Sequence, residues 1–333
     1  MILSAWSNFV VFKTNTLHNE GTPFKGVGGK QIVVDASFDP QRHVRTYGEV
    51  TSVPKHLDRF PISQKHKGLP AYHDSPAFSF KYLSDIAQEI KVGDRIYFHF
   101  NTIRPDNLIK TEVEDGNKVY YFKVKYDQVL CAVRDGVIIP IGSYTLIEPD
   151  METWEDISVP TYSNIKDKEG KPILKPKDQW LLKKVAPGAK FLLGFVRHVG
   201  TPLKGTECDI QAGDRIIYRR MADWRNFIEG KEYYAILHRH IIGKFVDSYP
   251  VPVGTNIFLV PEEIPTITDG GIHKVRLDIV KRGTVMHPGK SGLQALDNVE
   301  VGESDRQPIE VSGYKFISVD ISSVWGVHVA KPA

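Results

Sequence analysis

Cysteine is nearly absent, with Cys131 and Cys208 the only two among 333 residues. Neither has a CxxC neighbour or a metal-ligand spacing, which excludes a disulfide framework and a common zinc site, and both are expected in or near a core. No apolar run approaches the roughly 20 residues that cross a bilayer. The opening stretch from Ile2 to Phe12 lacks a basic leader and a small-residue cleavage site, so a soluble product made in the cytoplasm, with no membrane partner, is expected. Charge of one sign is also missing. The 43 basic and 40 acidic residues leave +3, too little to draw nucleic acid or an anionic surface by a diffuse field.

The usual signatures of catalysis are missing too. Gly26-Val-Gly-Gly-Lys30 lacks the spacing of a phosphate-cradling loop and does not join a strand to a helix. No G-x-S-x-G elbow presents a nucleophile. His238-Arg-His240 is read as a polar strand face, because no third ligand lies near, and His56, His66 and His73 as solvated surface residues. The interleaved Tyr218 to Arg225 stretch is read as a barrel strand and its loop rather than a nucleic-acid surface. A non-enzymatic protein with no cofactor and no metal is expected.

What the chain does have is short runs of β-branched and aromatic residues, such as Phe9-Val-Val-Phe12, Gln31-Ile-Val-Val34, Arg95 to Phe100, Tyr120 to Val124 and Lys315 to Val319, parted by Gly, Pro, Asn and Asp. These predict an all-β fold. Helical periodicity is confined to a turn or two over Tyr82 to Ile90.

The runs belong to a repeat. A Gly-x-Val strand start recurs as Gly48-Glu-Val50, Gly194-Phe-Val196 and Gly283-Thr-Val285. A tight turn feeding a strand recurs as Val92-Gly-Asp-Arg-Ile-Tyr97, Ala212-Gly-Asp-Arg-Ile-Ile217 and, more weakly, Val301-Gly-Glu-Ser304. A bent strand pair begins at Tyr120, Tyr233 and Tyr314, and matching connectors run from Pro140 to Pro149 and from Pro252 to Pro261. The order is the same in all three copies. It predicts three domains, 1–139, 140–251 and 252–333, the first with a long insertion between Val53 and Val92 that reads as a surface excursion or partner arm.

This series resembles the GroES-like co-chaperonin fold, in which a glycine-opened strand, a V-G-D-x-[IV] turn and a late strand pair close a small barrel. The resemblance implies three tandem GroES-like β-barrels. It also implies that Gly28 to Val34 is similar to the mobile loop that docks on a chaperonin, with Ile32, Val33 and Val34 as docking residues. Gly170-Lys-Pro-Ile-Leu174 and Gly270-Gly-Ile-His273 hold the loop position in the other copies. Medium-chain zinc dehydrogenases also carry such a domain, but they require a G-x-G-x-x-G dinucleotide half that this chain lacks.

Two functions are compatible with these features. One is a structural protein, an auxiliary or decorating component of a bacteriophage-like virion that binds a capsid lattice through loops and strand edges. The other is a co-chaperonin capping a chaperonin ring. In either, the candidate partner-binding residues are Phe24, Ile32, Val33 and Val34 in the first loop, and Trp224 with Phe227 in a second-domain loop, since large apolar loop side chains mark interfaces. A large protein assembly is the expected setting.

Overall fold

The computed structural model describes residues 5, 8–18, 43–55, 57, 88–151, 155–159, 162–166, 172–174, 181–185, 191–201, 209–219, 223–262, 282–302 and 309–328. The expected helix over 82–90 falls almost wholly outside them. The chain is all-β, as the apolar runs require, and its main elements form three antiparallel sheets on successive stretches of sequence.

The first sheet holds β1 (Phe9–Thr14), β2 (Tyr47–Ser52), β3 (Arg95–Phe98), β4 (Leu108–Glu114), β5 (Asn117–Lys125), β6 (Val129–Arg134) and β7 (Val137–Pro140), in the order β4-β5-β1-β2-β3-β6-β7. After β8 (Tyr144–Pro149), two ladders interrupt the second sheet: β9 (Glu155–Val159) pairs with β12 (Leu181–Val185), and β10 (Tyr162–Lys166) with β11 (Pro172–Leu174). The second sheet resumes with β13 (Phe191–Val199), β14 (Arg215–Arg219), β15 (Asp223–Ile228), β16 (Lys231–Leu237), β17 (Ile241–Val246) and β18 (Tyr249–Pro252), in the order β15-β16-β8-β13-β14-β17-β18. The third holds β19 (Asn256–Pro261), β20 (Arg282–His287), β21 (Asn298–Val301), β22 (Ile309–Val311), β23 (Tyr314–Asp320) and β24 (Val324–His328), in the order β22-β23-β19-β20-β21-β24. Counted within each sheet, the strand order is fourth, fifth, first, second, third, sixth, with a seventh in the first two.

Each late strand pair is bent by a single 3-10 turn, at Tyr126–Gln128, His238–His240 and Ile321–Ser323. The bend fixes the curvature of the sheet. In the first sheet β5 and β6 have three strands between them, which in a flat sheet would part them by about 19 Å, whereas a 3-10 turn advances only about 2 Å per residue. The sheet must therefore curl until its fifth and sixth strands approach. Inside the curl Phe12 packs on Phe98 and Phe122, with ring centroids 4.5 and 5.7 Å apart, above Val50, Ile96 and Tyr126. The curl stops short of closure: among the described residues no ladder joins β4 to β7, so the expected closed barrels appear as curled open sheets.

Local chemistry accounts for the connections. The hairpins β4-β5, β6-β7, β15-β16, β17-β18 and β22-β23 turn on two residues with positive φ, among them Asp115-Gly116 and Asp135-Gly136, which match the right-handed twist of the strands. The glycine of each Gly-x-Val start answers a different need. A Cβ on Gly48 would lie 2.3 Å from Phe12 Cδ2, and one on Gly194 2.6 Å from Ile147 Cδ1, so these glycines admit a core side chain.

One repeat assignment is corrected. In the first two sheets the tight turn places Gly93 and Gly213 at φ +90 and +95, and the next aspartate accepts from an upstream amide, Lys91 to Asp94 at 2.7 Å and Gln211 to Asp214 at 2.9 Å. The third turn is not Val301-Gly302 but Leu296-Asp297, with Leu296 at φ +76 and Asp297 accepting from Gln294 at 2.8 Å. Val301 instead ends β21.

Candidate interaction surfaces

Each curled sheet has an outer face, and two pairs of outer faces are joined by apolar packing. Between the first and second sheets, Tyr97, Leu130 and Cys131 pack on Tyr144, Leu146, Ile228, Tyr233, Ala235 and Leu237. Between the second and third, Leu193, Ile217 and Ile242 pack on Phe258, Ile309 and Phe316. Both junctions use the same strands. The preceding sheet contributes strands from its second, third and sixth positions, and the following sheet contributes its first, fourth and fifth.

The equivalence extends to single residues. The sixth strand is bulged against the third in both sheets, beside Tyr97/Phe98 and Ile217/Tyr218. The bulge turns outward the second residue after the 3-10 turn. That residue is Leu130 in the first sheet and Ile242 in the second, and both are fully buried against the next sheet. Burying such a side chain stabilises a contact by roughly 1.5–3 kcal/mol. At the second junction Gly243 makes room for a ring, since a Cβ there would lie 2.5 Å from Phe258 Cζ.

Polar groups add register to the first junction. The buried Asn226 amide donates to the Phe98 carbonyl oxygen at 2.9 Å, Tyr97 donates to Glu229 at 2.8 Å, and Arg95 pairs with the same carboxylate at 2.9 Å. Burial pushes the Tyr97 hydroxyl up to about 12, so it stays a donor across the physiological range.

Trp224 and Phe227 lie on β15, an edge strand, and not in a loop. Their alternation splits them between faces. Trp224 meets His99 edge-on at 4.4 Å across the first junction, at a cavity of about 320 Å³ that Arg104 and Lys125 also line. Phe227 sits under the Arg225 guanidinium at 5.3 Å. Burial, and then the nearby Arg104 charge, pull the His99 imidazole down to about 4. Phe24, Ile32, Val33 and Val34 lie outside the described residues, as do His56, His66 and His73.

His238-Arg-His240 forms a 3-10 turn rather than a strand face, with His238 buried. Among the described residues no group of three His, Cys, Asp or Glu side chains is placed to hold a metal ion, and no helix is long and apolar enough to cross a membrane. The junction residues went unread in the sequence although a signal was present. Val129 to Val133 and Tyr233 to Leu237 are nearly unbroken apolar runs, the mark of strands covered on both faces.

No protein-family model matches the chain, and no curated protein is significantly similar to it in sequence.

Proposed function

We propose that the chain is a non-catalytic assembly protein of three tandem GroES-like units, each a curled open sheet, serving as an auxiliary or decorating component of a bacteriophage-like virion. The supporting observation is the junction made twice from equivalent faces, with Leu130 and Ile242 at corresponding positions. A unit whose outer faces take another unit in a fixed register is suited to building a lattice or clamping one. Large apolar junctions also hold neighbouring units rigidly, which a spacer on a particle requires. The protein is made in the cytoplasm and carried on the particle, with capsid or other virion proteins as partners.

Sedimentation tests this reading. Particles from producing cells, banded on a density gradient and probed with antibody to this chain, are expected to carry it in fixed proportion to the major capsid protein. The co-chaperonin alternative makes the opposite forecast. ATP-dependent refolding of a client by a chaperonin ring, supported by this protein and lost when Ile32, Val33 and Val34 become serine, would replace the virion assignment.

A further inference from the structure

We propose that the cavity beside Arg45 on the first sheet binds a small zwitterion, a short amino acid held with its carboxylate on Arg45 and its ammonium group toward Asp115. The cavity is about 500 Å³, within the range of small-molecule sites, and Lys13, Arg45, Tyr47, Glu49, Arg95 and Asp115 are among the residues that line it. Arg45 is only 9% exposed. Its Nε is shut off from solvent and meets no hydrogen-bond acceptor, and among the described residues no carboxylate pairs with its guanidinium. Arginine is rarely buried without a partner, because a desolvated charge is costly.

Local structure fixes the group in place. The Arg45 amide donates to the Leu17 carbonyl oxygen at 3.0 Å, and the Phe98 amide donates to the Thr46 carbonyl oxygen at 2.9 Å, so the backbone on both sides is tied down. The guanidinium carbon lies 4.2 Å from the centroid of the Tyr47 ring. The ring face eases the burial of the charge but leaves the fork of N–H donors without acceptors. Nor does the fold demand a cation here. Three residues before each Gly-x-Val glycine stand Arg45, Phe191 and Val280, so two of the three copies carry an apolar residue at this place.

The neighbouring charges select the ligand. The other two cations of the cavity are engaged, Lys13 with Glu114 at 3.5 Å and Arg95 with Glu229 at 2.9 Å. Glu49 stands between those same cations, since its register partners are Lys13 on β1 and Arg95 on β3. Arg45 is left as a cation without a carboxylate. Asp115, in the β4-β5 turn at φ +50, is left as a carboxylate without a cation among the described residues. A guanidinium fork matches a carboxylate through two parallel N–H···O bonds. Glu49, Glu114 and Asp115 repel a second negative charge in the same cavity, which disfavours a phosphate dianion or a dicarboxylate. A molecule with one carboxylate and one ammonium group answers both Arg45 and Asp115.

Titration calorimetry on the full chain tests the site. Glycine, β-alanine and γ-aminobutyrate are compared with acetate, propionate and butyrate of the same chain length, and with inorganic phosphate. At least one amino acid is expected to bind, and to bind more tightly than its matched alkanoate or phosphate; the preferred length reports the span from Arg45 to Asp115. Arg45→Met is expected to weaken binding by roughly 10-fold or more. Asp115→Asn, a residue that tolerates the turn conformation, is expected to erase the advantage of amino acids over alkanoates while alkanoate binding persists. Since Arg45→Met removes an unpaired buried charge, its Tm without ligand is expected to equal or exceed that of the parent, which separates loss of the site from loss of the fold. Arg45→Lys, which keeps the charge but not the fork, is expected to bind more weakly than the parent as well. No binding by any amino acid, a preference for phosphate or alkanoates, or affinity indifferent to both Arg45 variants overturns the proposal. The assembly reading rests on the sheet junctions and stands or falls separately.

Discussion

Tyr126 and His238 hold the same position in successive sheets, the first residue of the 3-10 turn, yet only the tyrosine is satisfied. Its hydroxyl oxygen accepts from the Glu89 amide at 2.6 Å and the Ile90 amide at 3.4 Å. Both ring nitrogens of His238 are buried and meet no hydrogen-bond partner. Burial therefore lowers the imidazole from 6.5 to about 4. The unfolded chain takes up this proton below pH 6.5 and the folded chain does not until about 4. Stability from the neutral ring is complete above pH 6.5 and declines as pH falls through that window, by a limit on the order of 3 kcal/mol. His238→Phe is expected to flatten this acid limb in urea melts recorded from pH 7 to 4.

Asp127 works in the other direction. Both of its carboxylate oxygens are buried without a partner, and burial raises the group from 3.8 to about 7 against a weaker opposing effect of Lys125. The folded state keeps the proton where the unfolded chain has lost it, so ionisation destabilises the fold as pH climbs from about 4 to 7, and the penalty is complete above 7. Asp127→Asn is expected to raise the unfolding free energy at pH 8 by roughly 1–3 kcal/mol, and to change it little at pH 4. Greater loss at pH 8 than at pH 4 would contradict the burial argument.

Leu296 stands at φ +76 with 79% of its surface exposed, so it holds a left-handed conformation without packing to offset it. The equivalent positions carry glycine. Leu296→Gly is expected to stabilise the chain by roughly 0.5–1 kcal/mol, the relief of the Cβ clash less the added freedom of the unfolded state, read as a rise in Tm.

Gly243 is the converse case, since its missing side chain is what admits Phe258 at the second junction. The Val251 carbonyl oxygen would also lie only 3.0 Å from an added Cβ. Gly243→Ala is expected to destabilise by about 1–3 kcal/mol. The equivalent position on β24 is Gly326, where an added Cβ would come no closer than 3.4 Å to Glu300, so Gly326→Ala should be nearly silent.

The pair of half-buried Arg134 and buried Asp94 offers a further check. The guanidinium reaches both carboxylate oxygens, at 2.7 and 2.8 Å, and the Asp94 side chain is 2% exposed. Arg134→Met would leave that carboxylate with only the Lys91 amide, and a loss of roughly 1.5–3 kcal/mol in urea denaturation is expected.

Much of the architecture could be read from residue order. Alternating β-branched runs and Asp-Gly pairs fix strands and tight hairpins locally, and Gly48, Gly194 and Gly283 mark one recurring crowded crossing. The third tight turn was hidden because backbone geometry, not residue type, is what repeats: Leu296 takes a conformation usually signalled by glycine. The junction faces were less legible. A strand covered on both sides shows only a longer apolar run, and the identity of its second cover is set by distant sequence. Trp224 illustrates this, since a large aromatic near an edge reads as a partner residue until His99 is found against it.

Cys131 gives the first junction a clock. Its thiol is fully buried between the first two sheets, and burial pushes its pKa far above that of a free thiol, so no reagent reaches a thiolate while the faces are together. In a Cys208→Ser background, the rate at which Cys131 reacts with an excess of disulfide reagent would count each parting of the two sheets or each deeper unfolding event. Comparing that rate with global unfolding would show whether the three sheets melt as one body or come apart in sequence.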